Sequence, residues 1–258
     1  MLIDLHTHTH PGSWDSYLTP DELVDRSKQA GIDGIVLSEH DWAWDPEEVK
    51  RLAQRHDFLV LPGIEINTEE GHILVYGMHR YVFGMHRSHE LAGHVHDDGG
   101  VMIAAHPYRR QHPWNWQSEK EWADAIDRAK QNGAYRFISA MEVGNGRGKV
   151  EENSFSVKIA DVMGFHGTAA TDSHAVADIG KAVTYFERDI RTEEDLIREI
   201  SGGRFWPVDL TRGKVIADPL YHDVPDDLDA RLRLIDQQRE AFLASNPHAR
   251  PPGVPHAH

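Results

Sequence analysis

The chain of 258 residues contains no cysteine. A disulfide framework is therefore excluded, and any bound metal must be held by nitrogen and oxygen donors. No apolar run approaches the ~20 residues that a membrane span needs, so no membrane association is expected. Asp4 and His6 interrupt the start, and no secretory signal is read there. Basic residues are scarce: 27 Lys and Arg stand against 42 Asp and Glu, a net charge of −15. Long nucleic acid is held by cations that neutralise phosphates, so this balance argues against such a partner. No solenoid repeat is visible, and no linker breaks the first 210 residues. The expectation is a cytoplasmic protein with a largely solvated acidic surface. Its 40% apolar content is enough for a core at this length. Nothing in the sequence sets an oligomeric state.

What the chain has in quantity is histidine, 19 residues of it. Five ligand-type clusters each sit where a short apolar run ends. They are Leu5-His6-Thr7-His8, Ser38-Glu39-His40-Asp41, Gly63-Ile64-Glu65, Ala105-His106-Pro107 and Thr171-Asp172-Ser173-His174. Core packing does not explain five strands that each end in a metal-type side chain. A barrel enzyme, whose site is assembled from the carboxyl ends of several strands, requires that placement. Glu65 and Asp172 follow strands that should bury them, and an unpaired buried carboxylate is costly.

Between these runs lie helical signals. Thr19-Pro20-Asp21-Glu22 and Asp45-Pro46-Glu47-Glu48 are start motifs with proline at the first helical position. Further helices are expected near residues 88–97, 118–132, 151–163 and 192–200, with strands at 73–76, 101–104, 137–143, 168–171 and 182–186. Alternation of this kind predicts a parallel sheet covered by helices. Ligands spread from residue 6 to residue 174 favour a closed barrel over an open sheet with one crevice. Residues 1–210 are read as the barrel domain. Residues 211–244 form a C-terminal extension with one helix, either a cap or a dimer contact. Residues 245–258, rich in proline, form a disordered tail.

The motifs Asp4-Leu5-His6-Thr7-His8-Thr9, Glu39-His40-Asp41, Pro62-Gly63-Ile64-Glu65, Gly71-His72-Ile73-Leu74, Ala105-His106-Pro107-Tyr108-Arg109 and Thr171-Asp172-Ser173-His174 occur in one order. Together the chain resembles the PHP (polymerase and histidinol phosphatase) family over about residues 1–210. The resemblance implies an α/β fold, a distorted (β/α)7 TIM-like barrel with its metal site at the C-terminal ends of the strands. It implies two or three divalent ions. His6, His8, Glu65 and Asp172 would hold the first, Glu65 (bridging), His72 and His106 the second, and Asp15, His40 and His174 the third. His10 is a second candidate beside Asp15, and His79 a possible substitute for His72. Histidines without strand-end placement, such as His56, His112 and His166, are read as solvated or locally bonded.

Imidazole and carboxylate donors without thiolate suit manganese, zinc or iron. Two cations bridged by a carboxylate lower the pKa of a shared water, and the hydroxide attacks phosphorus in line. Glu65, Asp172 and His174 are placed at that chemistry, with Asp172 orienting the nucleophile. Asp41 is read as the partner of a ligand histidine. Arg109 and Arg147 offer forks suited to phosphate oxygens, and Asn145 lies at another strand end; Arg110 and Lys149 are as easily surface charges. Trp14, Trp42, Trp44, Trp114 and Trp116 fall in the same loops, where they either stack on an aromatic moiety or pack the loops together. The expected function is metal-dependent hydrolysis of a small phosphate ester, a phosphomonoester or a nucleotide-type ester. Histidinol-phosphate phosphatase is a narrower alternative, and a non-catalytic, metal-stabilised barrel is one of a different class.

Overall fold

A computed structural model describes residues 1–113, 118–216 and 224–245. Trp114, Trp116 and the tail after Ser245 lie outside the described residues. The strands are β1 (Leu2–Thr7), β2 (Gly34–Leu37), β3 (Leu59–Pro62), β4 (Ile64–Thr68), β5 (Gly71–Tyr76), β6 (Val101–Ala104), β7 (Ala140–Asn145), β8 (Gly167–Ala170), β9 (Ala182–Phe186), β10 (Phe205–Asp209) and β11 (Lys214–Val215). The helices are α1 (Pro20–Gln29), α2 (Pro46–His56), α3 (Ser88–Asp97), α4 (Glu119–Ala129), α5 (Val150–Met163), α6 (Glu193–Gly202) and α7 (Asp226–Ser245).

Side-chain caps set several helix starts. Thr19 Oγ1 accepts from the Glu22 amide at 3.2 Å, and Asp45 Oδ1 from the Glu47 amide at 2.8 Å. Ser118 and Thr192 do the same for α4 and α6. Each cap satisfies an amide that the first turn leaves without a partner. No helix among the described residues is long and apolar enough to cross a membrane.

The strands form two mixed sheets, β11-β10-β9-β1-β2-β3 and β4-β5-β6-β7-β8, and their ladders do not close into a barrel. The expected all-parallel sheet is corrected here. Only Glu69 and Glu70 separate β4 from β5, a connection that can join antiparallel strands and no others. β9 also pairs antiparallel with β1 and with β10. Gly63 carries the chain from one sheet to the other. A β-carbon there would lie 2.7 Å from Val36 Cγ1 and 3.0 Å from Tyr76 Cδ1.

The sheets are stitched together at the site-bearing ends. The tail of β2 meets β4 through the Glu65 amide on Glu39 O and the Asp41 amide on Glu65 O, both 2.9 Å. The tail of β1 meets the tail of β8 through the Asp172 amide on His6 O at 2.9 Å and the His8 amide on Ser173 O at 3.0 Å. Asp4 reinforces the second seam, accepting from the Thr171 amide and hydroxyl. Burial pushes its carboxyl up to about 7 despite those bonds.

Three apolar clusters fill the fold. One lies between the sheets (Ile3, Leu5, Leu74, Ile103, Phe186, Phe205), and one lies under α3, α4 and α5 (Leu91, Ile126, Phe155). The third lies under α1, α2 and α7 (Leu2, Val24, Leu52, Leu228, Leu232, Ile235). Arg231 of α7 donates to Asp33 Oδ1 at 2.7 Å and to Gly31 O. The C-terminal helix thus braces the start of β2. Strand β11, beyond residue 210, continues the first sheet by pairing with β10.

Candidate metal centre

Consecutive side chains of a strand point to opposite faces, so alternate residues share one. His6 at the end of β1 and His8 just beyond it share a face, and both are fully buried. Glu65 enters from β4 and Asp172 from the tail of β8, and both are buried as well. His6 Nε2 lies 3.4 Å from Glu65 Oε2 and 3.7 Å from Asp172 Oδ1. His8 Nε2 lies 3.4 Å and 3.5 Å from the same two oxygens. All four atoms are buried, and none has a partner in hydrogen-bonding alignment. Four such convergent donors would be costly unless something of opposite charge sat among them.

Glu65 reaches both ways. Its Oε2 lies 2.8 Å from His40 Nδ1, while its Oε1 lies 2.8 Å from His72 Nδ1 and 2.9 Å from His106 Nε2. Farther out, Asp15 Oδ2 lies 3.2 Å from His174 Nε2 and 3.5 Å from His40 Nε2, and the two imidazole nitrogens are 3.4 Å apart. All nine expected ligand residues are therefore gathered at one place. The donor triplets His6–His8–Asp172, His6–Glu65–His106, His40–Glu65–His72 and His8–His40–His174 each have a spacing that could hold an ion.

Electrostatics agree with a cation-binding role. Burial would raise the carboxyls of Glu65 and Asp172, yet His6 and neighbouring donors hold both well below the usual carboxylate range. Burial disfavours a charged His6, but Glu65, Asp172 and Glu142 outweigh it and hold its imidazolium well above the ordinary value. His8 shows the opposite outcome: burial pushes it down to about 3, leaving a neutral ring with a free lone pair. A site that holds its carboxylates ionised and draws positive charge fits divalent cations.

The ring orientations have identifiable causes. Glu142 Oε1 accepts from His6 Nδ1 at 3.1 Å, and its Oε2 accepts from the His106 amide at 2.7 Å and from Asn145 Nδ2 at 3.1 Å. Ser13 Oγ donates to Glu39 Oε2 at 2.5 Å, which leaves it to accept from His8 Nδ1 at 3.1 Å. Both contacts turn Nε2 of the ring toward the centre. Glu39 also accepts from the Thr9 amide and from Trp44 Nε1 at 2.8 Å. Sequence reasoning missed Ser13, Glu39 and Glu142 in these roles. Their partners lie as far as 136 residues away in the chain.

Two arginines reach the centre. Arg109 Nη2 donates to Asp172 Oδ2 at 2.6 Å, and its Nη1 lies 3.1 Å from His106 Nε2. Arg147 Nη1 lies 2.7 Å from His174 Nδ1, and Asn145 Nδ2 donates to Asp172 Oδ2 at 3.2 Å. Other candidates lie elsewhere. His79, at the far end of β5, pairs with Glu193 at 2.7 Å, and His10 is exposed. Asp41 accepts from the Asn67 amide instead of orienting a histidine. Arg110 donates to Thr68 O and Asn67, a local surface arrangement. Trp42 and Trp44 stack edge to face at 4.9 Å, a loop-packing role, whereas Trp14 is 85% exposed.

Comparison with known proteins agrees with this geometry. The family model of the PHP domain matches residues 4–141, more than half of the chain, and a PHP-associated model matches residues 150–205. An uncharacterized protein of Methanocaldococcus jannaschii is 28% identical over 117 residues, 42% of this chain and 68% of its own. Among solved structures, PsfC from Pseudomonas syringae aligns with a TM-score of 0.54 at 14% identity, covering 93% of this chain and 98% of its own. An amidohydrolase from Chromobacterium violaceum, with sulfate bound and no metal, gives 0.51 at 16% identity over 80% and 97% of the two chains. A Bifidobacterium adolescentis protein provisionally named a metal-dependent phosphoesterase gives 0.50 at 17% identity over 81% and 98%. At these identities the structural likeness establishes the fold, and the family follows from the sequence match. The chain belongs to the PHP domain family.

Proposed function

We propose that the chain is a metal-dependent phosphoesterase that hydrolyses a small phosphate ester, with manganese, zinc or iron as its cations. The observation that carries this reading is the convergence of four buried donor atoms of His6, His8, Glu65 and Asp172 beside two arginines. His6, His8, Glu65 and Asp172 would hold one ion, Glu65 with His72 and His106 a second, and Asp15, His40 and His174 a third. In this reading the two sheets are an opened form of a (β/α)7 barrel, with residues 1–210 as the hydrolase unit. The name of the Bifidobacterium neighbour points the same way.

Divalent cations bound there supply Lewis acidity and a water that ionises near neutral pH. The protein's own groups do the rest. Glu65 offers one oxygen to each side of the centre and so fixes the spacing of what it binds. Asp172, held by Arg109 and Asn145, keeps its other oxygen toward the centre, where it can orient the attacking water. The fork of Arg109 can turn from Asp172 to phosphoryl oxygens, and Arg147 approaches from the side of His174. Negative charge developing on those oxygens meets fixed cations in a largely buried site.

Phosphate release from a panel of small phosphomonoesters and diesters, with protein loaded with each metal in turn, tests the reading. Metal-dependent turnover in the wild type should fall by about 10²-fold or more in His8→Ala and Asp172→Ala. Full metal occupancy without turnover of any ester would contradict it.

A further inference from the structure

A cavity of about 970 Å³ opens beside the metal centre, between the β7–α5 loop and the β10–β11 turn. That volume is within the range of small-molecule sites. Asn145 and Arg147 line it and also touch Asp172 and His174, so the cavity and the centre share a wall. Its lining carries five cations (Arg147, Lys149, Lys181, Arg212 and Lys214) against three acids, in a chain whose net charge is −15. Lys181 is engaged by Asp178 at 3.1 Å, and Arg212 lies 3.6 Å from Asp209. Lys149 and Lys214 are exposed and have no carboxylate partner among the described residues. Both line the cavity, so among the described residues they are its two lysines without an ion pair.

The loop that forms one wall is rich in glycine and closely packed. In Gly144-Asn145-Gly146-Arg147-Gly148-Lys149, Gly144 lets Ile216 and Ala169 pack directly against β7, where a β-carbon would collide with Ile216 Cδ1 and lie 2.9 Å from Ala169 Cβ. The glycine-rich stretch leads straight into the N-terminus of α5, a helix of 14 residues whose dipole adds positive potential at that end. Glu151 and Glu152 in its first turn oppose that potential, but Glu152 is folded back onto the Lys149 amide at 2.7 Å.

We infer that this cleft is a subsite for a second, non-reacting anionic group of the substrate, held by Lys149 and Lys214. The inference rests on the phosphoesterase reading for the position of the reacting phosphoryl group, which sits at the metal centre on the far side of Asn145 and Arg147. The preferred substrate is then an ester with two anionic groups, one cleaved and one gripped. A phosphate and a carboxylate satisfy the same chemistry. A plain monoester fills only the reacting half.

Three aryl esters of one shape distinguish these cases: phenyl phosphate, 4-carboxyphenyl phosphate and 1,4-phenylene bisphosphate. The full metal-loaded chain should show kcat/KM roughly ten-fold or more higher for an ester with the second anion, expressed mainly in KM. Whichever of the two is preferred identifies the anion. In Lys149→Ala/Lys214→Ala that preference should vanish while phenyl phosphate is turned over unchanged. Lys149→Arg/Lys214→Arg should retain it. Calorimetric titration of the same three compounds gives a readout independent of turnover. Tighter binding of a doubly anionic ester, lost in the alanine pair, supports the cleft even if no ester is cleaved, in which case only the phosphoesterase reading fails. Equal affinity for all three compounds, or an unchanged preference in the alanine pair, overturns the inference.

Discussion

Glu142 illustrates how much of the centre depends on residues that do not face it. One carboxylate orients the His6 ring, caps the His106 amide and holds Asn145. Glu142→Ala should leave the fold intact and weaken metal retention by about 10–100-fold, the usual cost of removing such a support. Competition with a chelating dye measures it, and unchanged retention would show that His6 is positioned by packing alone. The proposed ligand residues were legible in the sequence because each of His6, His40, Glu65, His106 and Asp172 interrupts or ends an apolar run. Ser13, Glu39 and Glu142 were not legible in these roles. Their function depends on partners 5, 26 and 136 residues away, and an isolated Ser or Glu has many ordinary surface uses. His79 ended an apolar run as well, but it occupies the opposite end of β5 from His72.

At the scale of elements, that misplaced histidine has a job of its own. His79 and the Gly77 amide both bond the Glu193 carboxylate, tying the end of β5 to the first turn of α6. The hydrogen bond to Glu193 raises the His79 imidazolium above its ordinary value, against the effect of partial burial. A group whose folded pKa is raised adds stability that is complete below its unfolded value of about 6.5, and loses it as pH rises through the folded one. His79→Gln should therefore cost about 0.5–1 kcal/mol near pH 5.5, discounted for the pair's exposure, and almost nothing near pH 9. Urea melts at the two pH values check this, and a pH-independent loss would contradict it. The helices were readable because caps and a 3.6-residue period mark them locally. β4 was hidden because Ile64-Glu65-Ile66 reads as the end of a ligand cluster. The alternation in Ile64–Thr68, followed by Glu69-Glu70-Gly71 and a second apolar run, was the available hairpin signal. β10 was hidden by Pro207, which is unusual within a strand. The antiparallel pairings of these two strands, with those of β1 and β9 and of β5 and β6, separate the observed mixed sheets from the parallel barrel that alternation suggested.

For the whole molecule, the arrangement is two sheets sewn together at one end, with the ligand set distributed along the seams. The Glu65 and Glu39 bonds at one seam, and the Asp172, His6, His8 and Ser173 bonds at the other, use the backbone of the same residues whose side chains converge. Cations that bind those side chains should therefore also hold the sheets together and stabilise the native state by mass action. The gain is about 2.7 kcal/mol when free metal stands at a hundred times its dissociation constant. If the gathered donors hold divalent ions, Glu65, within reach of His6, His8, His40, His72 and His106, is the residue whose loss should tell most. The most direct test is elemental analysis of the folded chain after equilibration with manganese, zinc or iron, run beside Glu65→Ala. About two to three ions per wild-type chain, with loss of at least one in the folded variant, is the predicted result. A wild-type chain that binds no ion, or a Glu65→Ala chain that keeps the full complement, would contradict the account.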